Sequence, residues 1–323
     1  MNGARTLVVG GAGFIGSHVV DRLLALPETA GVTVYDNFSS GRDWHLEGHA
    51  GDRRLLVHRA EVGDLERLVA AMAGHAVVVH LASNPDIARA AREPAIDFDQ
   101  GTVLTHHVLE AMRRTGCGRI LYASGSGIYG DLGDRVVDED QGPLRPISTY
   151  GASKLAGEAM ICSYAHMFGI AGLAFRFGNV VGPRQTHGVG FDFIRRLRHD
   201  PTRLAILGDG SQSKPYVHVD DVVDAMLLAG GRGAPGFHAY NVAPEDAVTV
   251  REIADLAVAC LGLPADSVAY EFAGGDRGWK GDVPVVRLDT RRIRALGWRC
   301  GGSGDAMMRA LAALRAEAEA GRI

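Results

Sequence analysis

A tyrosine and a lysine four residues apart are the pair in this sequence with the clearest chemical potential. The segment STYGASK, residues 148–154, contains Tyr150 and Lys154. On a helix, positions i and i+4 share one face, so both side chains can point at one ligand. A phenol has a pKa of about 10 and is a poor base at neutral pH, but an adjacent ammonium favours its ionised form. The pair therefore predicts a general base for an alcohol substrate.

A glycine-rich turn near the N-terminus could bind a dinucleotide. The segment GGAGFIGSHVV, residues 10–20, joins an apolar run to a helical pattern and has G-x-x-G-x-x-G spacing. Glycines there allow a sharp turn and a close approach of the backbone to a pyrophosphate, whose charge lies at the helix N-terminus. The predicted contacts in this turn are Gly10, Gly13, Phe14, Ile15 and Gly16.

An acidic residue further along the chain indicates which dinucleotide is bound. Asp36 lies 20 residues after Gly16, at the end of the second predicted strand. A carboxylate there can accept both ribose hydroxyls of NAD and repels the 2′-phosphate of NADP. We therefore expect NAD, and Arg42 leaves NADP as an open alternative. A bound nicotinamide ring would add its positive charge to that of Lys154 and lower the pKa of Tyr150 by about three units.

Short β-rich runs alternate with helical patterns through the first half of the chain. Continuous apolar strands separated by helices indicate a parallel sheet covered on both faces, a doubly wound Rossmann-type α/β fold. The predicted strands are TLVVG (6–10), VTVYD (32–36), RLLVHRAEV (54–62), AVVVHLAS (76–83) and RILYAS (119–124).

Later segments change to short strands, mixed helices and frequent Gly and Pro, which predicts a smaller mixed α/β lobe for the substrate. We expect residues 1–179 and 215–245 to form the NAD-binding domain, and residues 180–214 and 246–323 to form the substrate-binding domain.

The composition narrows the cellular setting. The 323 residues carry a formal net charge of −4, which gives no basic field for nucleic acid. No apolar run reaches the ~18–20 residues that a membrane span needs, and we expect no signal peptide. The four cysteines are far apart and match no zinc spacing, so we expect reduced thiols, no metal site and a cytoplasmic location.

With both reactive motifs in place, the chain resembles the extended short-chain dehydrogenase/reductase family, and within it the nucleotide-sugar epimerases. The likeness covers nearly the whole chain and is strongest to UDP-galactose 4-epimerases of the archaeal type. It implies a UDP-sugar substrate and a homodimer formed through helices near 100–115 and 150–168. The motifs that carry it, in family order, are GGAGFIGSH, YDNFSSG, HLAS, ASNPDIARA, YGASKLAGE, NVVGPRQTHGVGFDFI, GDGSQSKPYVHVDD and RGWKGDV.

By this resemblance, residues outside the glycine turn would also contact NAD. Asp36 and Asn37 would hold the adenosine ribose. Glu61, which stands where the family has Asp, and Val62 would lie near adenine. The remaining implied contacts are Ser39, Ser40, Gly41, Leu81, Ala82, Ser83, Tyr150, Lys154 and Phe177.

The resemblance also implies a diphosphate site. Asn179 is similar to the Asn that hydrogen-bonds the nucleotide diphosphate, and Arg277 resembles a second ligand of that group. Lys214 falls where many relatives have Arg, and it offers a point charge rather than a fork. The implied substrate contacts are Asn84, Ser126, Tyr150, Asn179, Arg184, Lys214, Tyr216, Arg277 and Asp282.

Two positions depart from the family pattern. Gly101 replaces a usual Asn, which we expect to loosen cofactor contacts. Gly125, in ASGSGIYG, stands where the family has a catalytic Ser or Thr. The hydroxyl that orients the substrate and relays its proton would then come from Ser126, from Ser124 or from water.

The same loop narrows the reaction. Family dehydratases carry an acidic pair at the positions of Ser126 and Gly127, and related decarboxylases carry Glu at Gly127. Without these groups, elimination and decarboxylation lack a proton carrier. We therefore expect a UDP-hexose 4-epimerase that oxidises and re-reduces C4. A UDP-glucuronate 4-epimerase, with Arg89, Arg184 or His187 meeting the carboxylate, and a non-catalytic NAD-sensing protein remain the alternatives.

Overall fold

Residues 3–84 and 87–323 are described by a computed structural model of the protein. Its strands are β1 Arg5–Val9, β2 Gly31–Asp36, β3 Leu55–Arg59, β4 Val77–His80, β5 Arg119–Gly125, β6 Ala171–Phe177, β7 Asn179–Val181, β8 Arg203–Ile206, β9 Ser213–Lys214, β10 Tyr216–His218, β11 Phe237–Val242, β12 Val248–Thr249 and β13 Ala269–Phe272. Its α-helices are α1 Phe14–Ala25, α2 Leu65–Met72, α3 Ala95–Asp97, α4 Leu104–Thr115, α5 Thr149–Phe168, α6 Val189–His199, α7 Val219–Gly231, α8 Val250–Cys260, α9 Arg291–Ala295 and α10 Ser303–Glu319.

The central sheet has seven strands in the order β11-β6-β5-β4-β1-β2-β3. Strand β1 pairs in parallel with β2 on one side and β4 on the other. Leu7, Val8 and Val9 of β1 are fully buried, as expected of a strand that is covered on both faces. The chain reverses its strand order beside β1, where doubly wound sheets bind nucleotides. The predicted Rossmann-type fold is confirmed.

The described chain separates into two compact units. The limits predicted for the NAD-binding and substrate-binding domains stay predictions. Unit 1 comprises Met1–Ile128, Thr149–Arg176 and Val223–Tyr240, and unit 2 comprises Tyr129–Ser148, Phe177–Val222 and Asn241–Ile323.

Unit 1 has its core between the sheet and the helices α2, α4 and α5. Leu109 and Met112 of α4, Ile120 of β5 and Ile161 of α5 are fully buried in one apolar cluster. Helix α4 is preceded by a π-helical turn, Phe98–Val103. This core fixes the strand ends from which the candidate site is built.

Unit 2 is held by the helices α6, α8 and α10. Ile194, Ile253 and Leu311 are fully buried in their shared core. Strand β8 pairs with β13, β7 with β10 and β9 with β12. Thr249 and Glu252 form a capping box that begins α8.

No helix in the described part of the chain is long and apolar enough to cross a membrane.

Candidate active site

The glycine turn lies between β1 and α1. Neighbouring backbone approaches Gly10 and Gly16 so closely that neither position has room for a side chain. Gly10 has φ +83°, and a Cβ on it would lie 2.7 Å from the backbone nitrogen of Ala82. A Cβ on Gly16 would overlap the carbonyl oxygen of Gly10. Gly13 is the N-cap of α1, and no side chain caps that helix end, whose first residues are Phe14 and Ile15. The free N–H groups and the open backbone fit a pyrophosphate.

Asp36 ends β2 beside this turn and is 7% exposed. Its Oδ2 accepts a hydrogen bond from the Ala12 nitrogen at 2.9 Å, and its Oδ1 accepts one from the Phe38 nitrogen at 2.7 Å. Burial raises the pKa of Asp36, and these backbone hydrogen bonds oppose that shift. Each oxygen keeps a lone pair for a ribose hydroxyl, so the carboxylate fits the adenosine ribose of NAD.

The loop after β2 is held by its own polar groups. Asn37 Nδ2 donates to the Glu61 carboxylate at 3.0 Å, and the Ser39 nitrogen donates to Asn37 Oδ1 at 2.9 Å. Arg42 Nη1 donates to the carbonyls of Ser40 and Gly41 at 3.1 and 3.0 Å. The guanidinium of Arg42, which made NADP an open alternative in the sequence, therefore hydrogen-bonds to the backbone of its own loop.

The segment after β4 approaches both the glycine turn and Tyr150. The nitrogens of Leu81 and Ala82 both donate to the carbonyl of Val9, at 2.9 and 3.1 Å. The next residue, Ser83, forms a side-chain hydrogen bond with Tyr150. Val62, which the family resemblance implies to lie near adenine, is buried in the core of unit 1.

Tyr150 and Lys154 lie on one face of α5, as the spacing predicts. Lys154 is 3% exposed, and its Nζ donates to the carbonyl of Ala123 at 2.8 Å. The ammonium lies 5.5 Å from the centre of the Tyr150 ring and 5.1 Å from that of Tyr122. This places a buried cation beside the phenol of Tyr150, which is itself half-buried.

Burial dominates the pKa values of both Tyr150 and Lys154. Burial raises the pKa of Tyr150 to about 12, the charge of Asp97 acts in the same direction, and the bond with Ser83 opposes it. Burial also lowers the pKa of Lys154 to about 8, against the charge of Asp97. Without a bound dinucleotide the pKa of Tyr150 is thus raised, because desolvation outweighs the neighbouring cation; the lowering predicted from Lys154 together with the nicotinamide ring stays a prediction.

The three positions of the ASGSG loop differ in what surrounds them. Ser124 is buried, and its hydroxyl donates to Glu158 at 2.5 Å. Ser126 is half-buried and begins a 3₁₀ turn, and within the described residues its hydroxyl has no hydrogen-bond partner. A Cβ added to Gly125 would meet no atom within 4 Å. The loop therefore has one engaged hydroxyl, one available hydroxyl and an open position between them.

Asn84 and Gly101 contact protein groups in this region. Asn84 is 3% exposed and donates through Nδ2 to Asp97 Oδ1 at 2.8 Å. A Cβ at Gly101 would lie 2.7 Å from the Ser153 hydroxyl. Ser153 thus takes the space beside the backbone of Gly101, where the family has an Asn side chain.

Asp97 is the residue of this site that the sequence reasoning missed. It is 1% exposed and also accepts a hydrogen bond from the Thr149 hydroxyl at 2.7 Å. The available signal was a carboxylate inside the apolar stretch PAIDF, since a buried charge needs compensating partners.

In unit 2, two predicted diphosphate contacts, Lys214 and Arg277, come together with the predicted substrate residue Asp282. Lys214 forms an ion pair with Asp282, whose backbone carbonyl accepts from Arg277 Nη1 at 2.6 Å. Arg277 Nη2 also donates to Asp131 at 2.6 Å. Asp131 was not predicted. Both cations are therefore paired with carboxylates within the unit.

The other predicted substrate residues of unit 2 lie on neighbouring strands. Asn179 of β7 pairs in register with Tyr216 of β10, and a side-chain hydrogen bond joins them. The backbone nitrogen of Arg184, at φ 64°, donates to Glu317 at 2.8 Å. Phe177, predicted to contact the cofactor, ends β6 and is buried.

No group of His, Cys, Asp and Glu side chains that could hold a metal ion occurs in residues 3–84 and 87–323. Unit 1 brings together the glycine turn, Asp36, Ser83, Tyr150 and Lys154. An open backbone cradle, a buried ribose-type carboxylate and a tyrosine–lysine pair can together support proton removal from an alcohol beside a bound dinucleotide.

Comparison with known proteins agrees with this geometry. Residues 6–243 match the model of the NAD dependent epimerase/dehydratase family. A UDP-glucose 4-epimerase of Mycolicibacterium smegmatis is 35% identical over 303 residues, covering 91% of this chain and 93% of that protein. A crystal structure of a UDP-galactose 4-epimerase has 38% identity and a TM-score of 0.85, covering 97% of this chain and 99% of that one.

A UDP-glucose 4-epimerase of Thermus thermophilus, solved in complex with NAD, has 30% identity and a TM-score of 0.84. The match covers 96% of this chain and 99% of that one. The predicted family resemblance and the predicted NAD cofactor are confirmed.

Proposed function

Because this chain belongs to the NAD dependent epimerase/dehydratase family, we propose that it is a UDP-hexose 4-epimerase that interconverts UDP-glucose and UDP-galactose. The observation that carries the proposal is the placement of Tyr150 and Lys154 on one face of α5, with Ser83 hydrogen-bonded to the phenol. The names of the similar proteins support the substrate class.

The residues divide the chemistry of C4 oxidation between them. Tyr150 Oη takes the proton of the sugar 4-hydroxyl and later returns it. The glycine turn and Asp36 would hold NAD, which when bound would supply a reversible acceptor for the hydride of C4. The 4-keto sugar must rotate between the two steps, so that C4 is re-reduced on its opposite face. No atom is gained or lost, as an epimerisation requires.

Lys154 keeps a positive charge next to the phenol. At neutral pH its ammonium remains protonated, since its pKa of about 8 lies above that pH. A cation there favours the phenolate, and the positive nicotinamide ring acts in the same sense when NAD is bound. The protein groups alone leave Tyr150 mostly neutral, so we propose that the bound cofactor completes the activation of the base.

Ser126 is the protein hydroxyl that we propose to orient the substrate. Its hydroxyl is available, whereas that of Ser124 is bonded to Glu158. Ser126 and Gly127 offer no acid or base for elimination or decarboxylation, and this supports simple C4 epimerisation over the other reactions of the family.

We propose that the diphosphate of the substrate is bound by Lys214 and Arg277, together with Asn179. The two cations lie in one cluster of unit 2, although each is paired with a carboxylate. An arriving diphosphate would compete with Asp131 for the Arg277 guanidinium, which forms bidentate bonds to phosphate more readily than Lys does.

The alternative uronate activity gains little from the cations named for it. Arg89 pairs with Glu93 at 2.6 Å, and the charge of Arg184 acts on the Glu317 carboxylate, where burial raises the pKa and Arg184 opposes that shift. His187 is exposed and lies 3.3 Å from the Thr186 hydroxyl. The open space at Gly125 favours a larger group at the sugar.

The test is incubation with UDP-glucose, UDP-galactose, UDP-glucuronate and UDP-N-acetylglucosamine, without added cofactor. We expect UDP-glucose and UDP-galactose to interconvert at catalytic enzyme concentration, because the NAD is recycled. Tyr150→Phe should lose most activity and keep nucleotide binding. Preferred conversion of UDP-glucuronate would select the alternative. A protein that binds NAD but converts none of the four would be a sensor.

We also propose a homodimer that works in the cytoplasm. Met167 and Phe168 on α5 and Phe98 before α4 are exposed apolar side chains of unit 1, and a second copy could bury them. The free state of all four cysteines is compatible with a reducing compartment. Light scattering of wild type and Met167→Glu would test the dimer, since the charged variant should be monomeric.

A further inference from the structure

A buried carboxylate lies beside the catalytic pair. Asp97 is 1% exposed, and within the described residues it forms no ion pair with an Arg, Lys or His. Its Oδ1 accepts from Asn84 and its Oδ2 accepts from Thr149, at 2.8 and 2.7 Å. A charge is costly to bury unless it has partners, so a carboxylate kept here without a bonded cation requires an explanation.

The two hydrogen-bond partners of Asp97 are sequence neighbours of the groups that hold the phenol. Thr149 directly precedes Tyr150 at the start of α5. Asn84 directly follows Ser83, which hydrogen-bonds to Tyr150. One carboxylate therefore ties the start of α5 to the segment after β4. A shift of the start of α5, and with it of the Tyr150 backbone, relative to the segment after β4 would have to break this link.

The charge of Asp97 acts on Lys154. Burial of Lys154 favours its neutral form and lowers its pKa to about 8, and the negative charge of Asp97 is the interaction that opposes this shift. If that charge were removed, burial alone would act on the ammonium. Lys154 would then lose its proton closer to neutral pH.

Other ionisable groups face the pair but cannot replace Asp97. His80 of β4 is buried and neutral, because desolvation lowers its pKa to about 3. Tyr122 of β5 lies under the ammonium and is neutral, because burial raises its pKa. Glu158 of α5 is bonded to Arg176 and Ser124. Among residues 3–84 and 87–323, Asp97 is thus the carboxylate acting on Lys154 whose charge is not already matched by a bonded cation.

Resting on the function proposed above, we propose that Asp97 is a positioning residue that fixes the Tyr150 phenol through Thr149 and Asn84 and keeps Lys154 in its ammonium form. Asp97 touches neither substrate nor cofactor in this assignment. It acts through Tyr150 and Lys154, which do contact them in the proposed reaction.

The first test is Asp97→Asn, which keeps the size of the side chain and a carbonyl acceptor but removes the charge. Both Tyr150 and Lys154 should then lose their protons at lower pH. We expect the profile of kcat against pH to move toward lower pH by about one unit, on both limbs, since a nearby opposite charge shifts a pKa by that order. An active Asp97→Asn variant with the wild-type profile would overturn the proposal.

Thr149→Val is the matched control. It removes the hydroxyl that bonds to Asp97 and leaves the charge in place. We expect a lower kcat, by about tenfold for a slightly misplaced phenol, with limbs at the wild-type pH. Should the two variants displace the limbs equally, the role of Asp97 would be structural. If Asp97→Asn does not fold, Asp97→Ser, also uncharged and hydrogen-bonding, should show the same displacement.

A direct titration separates this proposal from the proposed function. Ionisation of Tyr150 is measured as the ultraviolet tyrosinate signal that is lost in Tyr150→Phe. With Asp97 present, the Tyr150 signal is the wild-type titration minus that of Tyr150→Phe. Without Asp97, it is the titration of Asp97→Asn minus that of the double variant Asp97→Asn/Tyr150→Phe. Wild type that converts no UDP-hexose would refute the function, but ionisation of Tyr150 at lower pH without Asp97 would still support the role of Asp97. Unchanged ionisation would overturn it.

Discussion

Ser124 donates its hydroxyl hydrogen to the Glu158 carboxylate at 2.5 Å, and the same carboxylate forms a buried ion pair with Arg176 at 2.7 Å. All three residues are at most 5% exposed. This network joins β5, α5 and β6 one helical turn after Lys154 on α5. It engages the hydroxyl of Ser124, the first serine of the ASGSG loop, and so supports the proposal that Ser126 provides the proton relay.

Replacing Ser124 and Ser126 separately should therefore have opposite effects. Ser124→Ala removes a hydrogen bond to a buried charge, and we expect the free energy of unfolding to fall by about 1.5–3 kcal/mol with kcat nearly unchanged. Ser126→Ala should lower kcat and leave stability within about 0.5 kcal/mol. Urea unfolding and steady-state kinetics measure both. A folded Ser124→Ala with greatly reduced kcat would return the relay to Ser124.

Restoring the family hydroxyl at position 125 should increase the rate. A Cβ at Gly125 meets nothing within 4 Å, so Gly125→Ser should fit without displacing the loop. We expect kcat to rise, by up to about 10²-fold if the new hydroxyl orients the 4-hydroxyl of the sugar. Gly125→Ala is the control, because it fills the same space without a hydroxyl. Equal rates for the two variants would show that this position does not handle the proton.

The Arg277 cluster predicts a response of substrate binding to charge. Arg277→Gln should weaken binding of UDP-glucose by about tenfold to 10²-fold, the value of a charge-assisted hydrogen bond. Asp131→Asn should tighten it, because the diphosphate no longer displaces a carboxylate from the guanidinium. Calorimetric titration measures both affinities. Arg203→Gln, which alters an exposed ion pair of the same unit, is the control. Unchanged affinity in Arg277→Gln would remove Arg277 from the diphosphate site.

Buried His80 predicts a stability loss in acid. Its Nε2 donates to Thr105 at 3.1 Å, because the Thr105 hydroxyl hydrogen is given to the Gly101 carbonyl. The folded protein protonates His80 at a pKa of about 3, against 6.5 for the unfolded chain. Between these values the unfolded state binds the extra proton, so stability falls as pH falls, by about 1.4 kcal/mol per pH unit.

His80→Asn removes this titration. Its unfolding free energy should depend less steeply on pH from 6 down to 4 than that of wild type, even if it is lower at neutral pH. The control is His199→Asn, at an exposed position on α6, which should keep the wild-type slope. Urea midpoints at several pH values provide the comparison. Parallel slopes for wild type and His80→Asn would contradict the burial of a neutral imidazole.

Local patterns accounted for the parts of the site that a single βαβ unit or a single helix determines. The glycine turn and Asp36 follow from one strand–helix–strand unit, and Tyr150 and Lys154 follow from the i, i+4 spacing. Strand β3 was predicted too long, since it ends at Arg59 where Ala60 hydrogen-bonds to the Asp36 carbonyl.

Contacts distant in sequence were beyond such patterns. Asp97 and Thr149 are 52 residues apart, and Ser124 and Glu158 are 34 apart. Nothing in the local sequence around either residue indicates its partner. The raised pKa of Tyr150 in the protein without a dinucleotide was not foreseen for a related reason, because desolvation depends on how all surrounding elements pack and not on the nearest cation.

The close approach of Gly10 to Ala82 has a consequence for the order in which the enzyme binds its ligands. The peptide that lies against the cofactor turn is next to Ser83, which aligns the phenol. Any widening of the turn on ligand loss would be transmitted to that serine over a single residue. We therefore expect an ordered system, in which the dinucleotide must be in place before a sugar can be held productively, and in which apo-enzyme binds sugar nucleotide without aligning it for turnover.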